Sequence, residues 1–268
     1  AAAPMVARAG IPMVLCSILP PRDPKWAFST LPPPRFEVDT RLAYLRAHKV
    51  SAFALLHDPT PYALLQVAAA EKVAGDYGVK LVDNEQYAQG DTDLSVQIAK
   101  ANAAGAGALL KIGLGGTTLA AANDIRQLGL DKMLMLTSVE DLAVFRPVAK
   151  VLGDRFFFVC SPSQIYDALP AGDLKAALDP FMGPWRAKYP DRDPNWASRG
   201  WDAVMLVLTA AEAANSTDGG AVRDALEHIE GFQGTTGVYS FSTANHYGIT
   251  KNPFLLGQLV DGKVRIVE

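Results

Sequence analysis

An α/β fold built on parallel, doubly wound sheets is what this sequence predicts, and three observations carry it. Strand-like and helix-like segments alternate from residue 51 to residue 160. The strand-like runs, such as AFALL at 52–56 and ALLKI at 108–112, are short and almost wholly apolar, as burial on both faces of a sheet requires. Several of them end in a short polar or glycine-rich turn, the place where open sheets of this class hold ligands.

The elements follow in order. The opening AAAPMVARAG lacks the basic start and long apolar stretch of a secretory signal. Pro4, the apolar Met5-Val6-Ala7 and a stopping Gly10 read instead as the end of a helix. The chain is therefore expected to begin inside a helix, as a fragment or processed form of something longer. Strands are expected over 12–16, 51–56, 79–85, 108–112, 133–137 and 156–160, and helices over 62–77, 93–104, 118–128, 173–189, 198–215 and 219–229. The proline-rich segments 19–26 and 29–36 favour stiff, extended chain, either a crossover between lobes or a surface loop. Beyond residue 230 the pattern changes to strands at 238–241, 254–260 and 263–267 with no helix between them, and Asp261-Gly262 is a hairpin signal. Such a ribbon after an α/β body implies a chain that returns to finish an earlier lobe.

Composition bounds the function. The 268 residues are 49% hydrophobic, enough for two lobes of ordinary size. A formal charge of −3 without a basic stripe argues against nucleic acid, and every apolar run is too short to span a membrane. Cys16 and Cys160 sit in apolar runs, where buried free thiols are expected.

The motifs point to binding. IGLGGTT at 112–118 lets a ligand approach backbone at Gly113, Gly115 and Gly116, ahead of a helix N-terminus that favours anions. It does not fit a dinucleotide: Thr118 stands where a third glycine is needed, and the next strand ends in LMLTS without an acid. In HDPTPY at 57–62, Thr60 is placed as a helix N-cap, Pro61 in the first turn and Tyr62 at the mouth of the crevice. His57 has no Ser or Cys partner and is expected at the surface or a hinge. In GDTD at 90–93, Asp91 or Thr92 can cap the following helix. Trp201, Val204, Leu208 and Ala211 share a helical face that either packs or closes an apolar pocket. With no nucleophile elbow, Walker lysine or metal-ligand cluster, no catalytic residue, metal or cofactor is assigned, and the chain is not expected to be an enzyme.

Taken in sequence, GIPMVLCS, WAFST, HDPTPYALL, YAQGDTDLSVQIAKANAAGAGALL, GLGGTTLAAANDIRQLGL and GTTGVYSFSTANHYG resemble the periplasmic solute-binding proteins of branched-chain-amino-acid-type ABC transporters, class I of the periplasmic binding fold. The resemblance covers essentially the whole chain. It implies a two-lobed hinged clamp, with lobe one at 1–33 and 161–244 and lobe two at 34–160 and 245–268, crossing near 29–33, 161 and 242–246. The N-terminal part of lobe one has no counterpart here, which implies a missing N-terminal segment or a companion chain, because half a lobe would expose apolar surface. The implied location is periplasmic and the implied partners are the membrane subunits of an ABC transporter. The implied ligand residues are Ser17, Ile18 and Leu19 toward a carboxylate, with Leu19 where the family has threonine; Tyr62; the loop Gly113, Leu114 and Gly115; and Trp201 as an aromatic across the cleft. Ser138 stands where amino-acid binders carry an acid to pair with the ligand ammonium, a costly loss for a buried cation. The expected ligand is therefore a small carboxylate with an aromatic or other non-amino body. The alternatives are a branched-chain or related amino acid held by Glu140, a sensory domain on the same fold, or a nucleotide-using α/β enzyme.

Overall fold

A computed structural model describes residues 2–19 and 24–267; residues 20–23, within the first proline-rich segment, lie outside them. The chain forms two compact units, unit 1 from Ala1–Pro33 and Pro162–Pro253 and unit 2 from Pro34–Ser161 and Phe254–Glu268. The third boundary falls nine residues later than the sequence implies. Residues 245–253 join unit 1 because they are bonded into it: His246 Nδ1 meets Ala27 O at 2.9 Å, Ser240 N donates to Gly248 O at 3.0 Å, and Ile249 bridges Tyr239.

Unit 2 opens with a helix the sequence reading missed, α2 (Arg35–Ala47), which buries Val38, Leu42 and Leu45 along one side. The strand β3 (Ala52–His57) leads to α3 (Pro61–Val73). Thr60 caps α3 as expected, its side chain accepting from Ala63 N, with Pro61 at the first helical position. Then come β4 (Lys80–Gln86), α4 (Ser95–Ala103), β5 (Ala108–Ile112), α5 (Thr117–Gln127), β6 (Met133–Leu136), a second unforeseen helix α6 (Leu142–Leu152), and β7 (Phe156–Cys160). The α4 cap differs from expectation. Asp91 accepts from Ala88 N, while the helix start is held by Asp124, which accepts from Leu94 N at 2.7 Å, and by Asp93, which accepts from Ser95 N at 2.8 Å.

The sheet runs β11-β10-β7-β6-β5-β3-β4, where β10 is Leu255–Val260 and β11 is Lys263–Val267. Its five strands from β7 to β4 are parallel; β10 and β11 add antiparallel. Asp261 and Gly262 both take positive φ, the backbone of a two-residue hairpin turn. The apolar sides of α2 and α3 close over Phe53, Leu55, Leu110, Met135, Phe157 and Val159 in one core. On the sheet's other side α4 packs against α5, and α5 against α6.

Unit 1 contains α1 (Ala3–Arg8), β1 (Met13–Leu15), β2 (Ala27–Ser29), α7 (Asp173–Lys188), α8 (Asn195–Ala214), α9 (Gly219–Leu226) and the short hairpin β8 (Phe232–Gln233) and β9 (Val238–Tyr239). Here β1 and β2 form a two-stranded parallel sheet. The GTTG turn is stapled to α8 by Asp202, whose carboxylate accepts from Thr235 N, Thr235 Oγ1, Thr236 N and the Tyr239 hydroxyl at 2.7–3.0 Å. Both cysteines are free thiols, Cys160 buried and Cys16 half-buried.

Candidate functional site

Strand order in unit 2 reverses between β3 and β5, since the chain steps from β3 to one neighbour, β4, and later adds β5 on the other side. The crevice outside the carboxyl ends of such strands is where open α/β sheets bind ligands. Two turns meet there, one at Asp58 and one running from Gly113 to Thr118.

Asp58 is buried and fully engaged. Its Oδ1 accepts from Thr60 N at 3.0 Å and Thr60 Oγ1 at 2.5 Å, and its Oδ2 from Gln89 Nε2 at 3.2 Å. His57 is buried rather than exposed, because it ends β3 inside the sheet and its Nδ1 turns to Asp58 O at 2.8 Å. Gly113 takes φ +135° in a crowded spot: a Cβ there would lie 2.7 Å from Asp58 Oδ2 and closer still to the Tyr87 hydroxyl. Gly115, at φ +90°, faces open space, and Leu114 between them is exposed.

Beneath this loop lie a buried acid and a buried base, Glu140 and Lys111. Lys111 is the one charged residue of β5 and is buried; its Nζ donates to Gly113 O at 3.4 Å and lies 5.2 Å from the centre of the Tyr87 ring. Glu140 is also buried, and its Oε1 accepts from Gly115 N at 3.1 Å and Thr118 Oγ1 at 2.7 Å. Oε2 of Glu140 is buried with no hydrogen-bond partner. Burial pushes the Glu140 carboxyl up and the Lys111 ammonium down, while each charge works in the opposite sense on the other.

A second polar cluster ties Ser138 and Tyr62 together through Glu37, a residue of α2. Glu37 Oε2 accepts from Ser138 N at 2.6 Å and Oε1 from Ser138 Oγ at 3.2 Å. The Tyr62 hydroxyl donates to the same Oε1. One turn on, buried Arg41 reaches Glu37 O through Nε at 3.1 Å and Gln66 Oε1 through Nη2.

Of the residues singled out from the sequence, Tyr62, Gly113, Leu114, Gly115 and Ser138 belong to unit 2 and Ser17, Ile18, Leu19 and Trp201 to unit 1. Tyr62 and Ser138 are brought together by Glu37. In unit 1, Ser17 O accepts from Ser29 Oγ at 2.6 Å, Leu19 N donates to the Tyr247 hydroxyl at 3.3 Å, and Trp201 sits 6.0 Å from the Phe181 ring of α7. The sequence reading missed Glu37, Arg41 and Lys111. The first two were hidden with α2, although Val38, Leu42 and Leu45 carry its helical spacing. A lysine inside an otherwise apolar strand was the available signal for Lys111.

Among the described residues no group of three or more His, Cys, Asp or Glu is placed to hold a metal ion, and no helix is long and apolar enough to cross a membrane. Residues 1–263 match the family described as periplasmic binding protein. No curated protein sequence gives a significant match. Solved structures do. Rp1789 of Rhodopseudomonas palustris (strain CGA009) superposes with TM-score 0.88 at 20% identity, covering 99% of this chain and 78% of its own. An extracellular ligand-binding receptor from Rhodopseudomonas palustris HaA2 gives the same values. The branched-chain amino acid transporter substrate binding protein LivJ from Streptococcus pneumoniae, determined in complex with isoleucine, gives TM-score 0.79 at 20% identity over 99% of this chain and 75% of its own. At such identities these likenesses speak for the fold alone.

Proposed function

Because the chain belongs to the periplasmic binding protein family, we propose that it captures a small carboxylate with an aromatic or other non-amino body in the periplasm and delivers it to the membrane subunits of an ABC importer, without transforming it. The observation that carries the ligand class is the engagement of Glu37. Its two oxygens are taken by Ser138 N, Ser138 Oγ and the Tyr62 hydroxyl, so the acid beside Ser138 is already committed to the protein. Asp58 is committed likewise, and Glu140 shares its surroundings with the Lys111 ammonium. A ligand ammonium entering here would displace an internal donor or go without an ion partner. An incoming carboxylate meets instead the start of α5 at Gly116 and Thr117, Gly115 N being already given to Glu140.

One observation favours a second reading. Oε2 of Glu140 has no hydrogen-bond partner, and the Streptococcus relative is described with isoleucine bound. A branched-chain amino acid could place its ammonium on that oxygen. Titration calorimetry with benzoate-type and aryl-keto acids against leucine, isoleucine and valine separates the two. The first reading expects the aromatic acids to bind tighter by roughly two decades, the scale of a buried cation left without its partner. Tighter leucine binding that is lost in Glu140→Gln overturns it in favour of the second.

A further inference from the structure

Unit 1 holds a cavity of about 640 Å³, lined in part by Leu19, Lys25, Arg223, Glu227, Ala244 and His246. That volume lies inside the range of small-molecule sites, roughly 300–1,000 Å³. The short turn Pro24–Trp26 ahead of β2, the helix α9 and the loop after residue 242 meet there. Charge decides what fits. His246 is buried and stacks on Phe28, with ring centres 4.2 Å apart. Its Nδ1 lies 2.9 Å from Ala27 O, and a carbonyl only accepts, so Nδ1 carries a proton. Its Nε2 faces Glu227 Oε1 at 3.2 Å. A hydrogen bond there requires one proton between nitrogen and carboxylate, whichever of the two holds it. As imidazolium with carboxylate, or imidazole with carboxylic acid, the pair carries no net charge. The other charged groups in the described lining are both cations, Lys25 and Arg223. Arg223 donates through Nη2 to Asp224, and its guanidinium lies 4.8 Å from the centre of the Trp26 ring, two contacts that fix its plane. Its Nε is buried with no hydrogen-bond partner among the described residues. A buried guanidinium N–H of that kind calls for an acceptor.

We propose that this cavity is a second binding site, for a small organic anion. The acid group of the ligand, a carboxylate or a phosphate, accepts from the Arg223 guanidinium and from Lys25, and its apolar body lies against Leu19 and Ala244. A guanidinium held in one plane suits an acid with paired oxygens, which it meets as a fork. Neither cation is among the residues that the family resemblance implies for ligand. A bound anion ties α9 to the turn before β2, two segments nearly 200 residues apart in the chain. The site stands on unit 1 alone and not on the ligand class of the proposed function, so calorimetry of aromatic acids against leucine can fail without touching it.

The Arg223 Nε–H resonance, assigned through its own backbone amide, tests the proposal at the site itself. Phenyl phosphate, benzoate and inorganic phosphate are titrated in turn, with sodium chloride at matched ionic strength as the control. Phenyl phosphate or benzoate should shift that resonance saturably, and the one that does so identifies the acid group. Lys25 is exposed, so Lys25→Gln keeps the fold, and it should weaken the binding read at Arg223 roughly tenfold, the worth of one charged hydrogen bond. A resonance unmoved by both organic probes, moved equally by sodium chloride, or moved by inorganic phosphate alone would overturn the proposal. So would an affinity unchanged in Lys25→Gln.

Discussion

Replacing Glu140 with glutamine keeps the side chain's shape and removes its titration, and that isolates what burial does to it. Its carboxyl is raised above the ordinary value of 4.5 by burial, with Lys111, the Thr118 hydroxyl and Gly115 N pulling it back. A carboxyl raised on folding holds its proton in the folded chain after the unfolded chain has lost it. Stability from this group is therefore present in acid and declines as pH climbs from 4.5 through the raised folded value. Urea unfolding across that range should show the wild-type chain losing more stability than Glu140→Gln with rising pH. Parallel curves would mean that Glu140 does not titrate differently on folding. Glu37 shows another way to bury an acid side chain: both of its oxygens accept from protein donors, Ser138 and the Tyr62 hydroxyl.

The turn from Gly113 to Gly116 shows how one motif can hold two kinds of glycine. Both Gly113 and Gly115 have positive φ, but only Gly113 is hemmed in by Tyr87 and Asp58. Gly115→Ala should cost about 1 kcal/mol, the conformational penalty alone. Gly113→Ala adds a clash that moves the Asp58 turn and should cost about 3 kcal/mol or more. Equal costs in thermal or urea unfolding would mean that the Tyr87 side is free to yield. This motif was legible in the sequence because its chemistry is local, as were the Thr60-Pro61 helix start and the Asp261-Gly262 hairpin. α2 was not, because the proline run before it drew residues 29–36 into a supposed linker and masked the helix start at Arg35. α6 follows β6 after only five residues, the last of them its N-cap Asp141, and was passed over as well. Glu37 and Ser138 lie 101 residues apart, a pairing that no periodicity or turn signal reports.

The two units divide the chain into four pieces, and unit 2 is closed by the last of them. β10 pairs antiparallel with β7, Leu255 opposite Cys160 and Gly257 opposite Phe158, and brings Phe254 and Leu256 into the main core. Removing residues 254–268 would bare the edge of β7 and leave a cavity behind it, a loss of several kcal/mol by the usual cost of large buried side chains. Hydrogen exchange at β5, two strands away, should rise toward that of an unfolded chain in such a truncation. Unchanged protection there would show that the five parallel strands hold without the hairpin.

That closure also sets a clock. Synthesis delivers β7 first and β10 only after all of Pro162–Pro253 has been made, which at about 5–20 residues per second takes roughly 5–20 s. Throughout that interval the nascent sheet stands with a bare edge, and the place of Leu256 is empty. Unit 2 thus reaches its finished form late, when residues 255–260 have cleared the ribosome. A chain halted before residue 255 would therefore offer the edge of β7 to any extended segment that meets it.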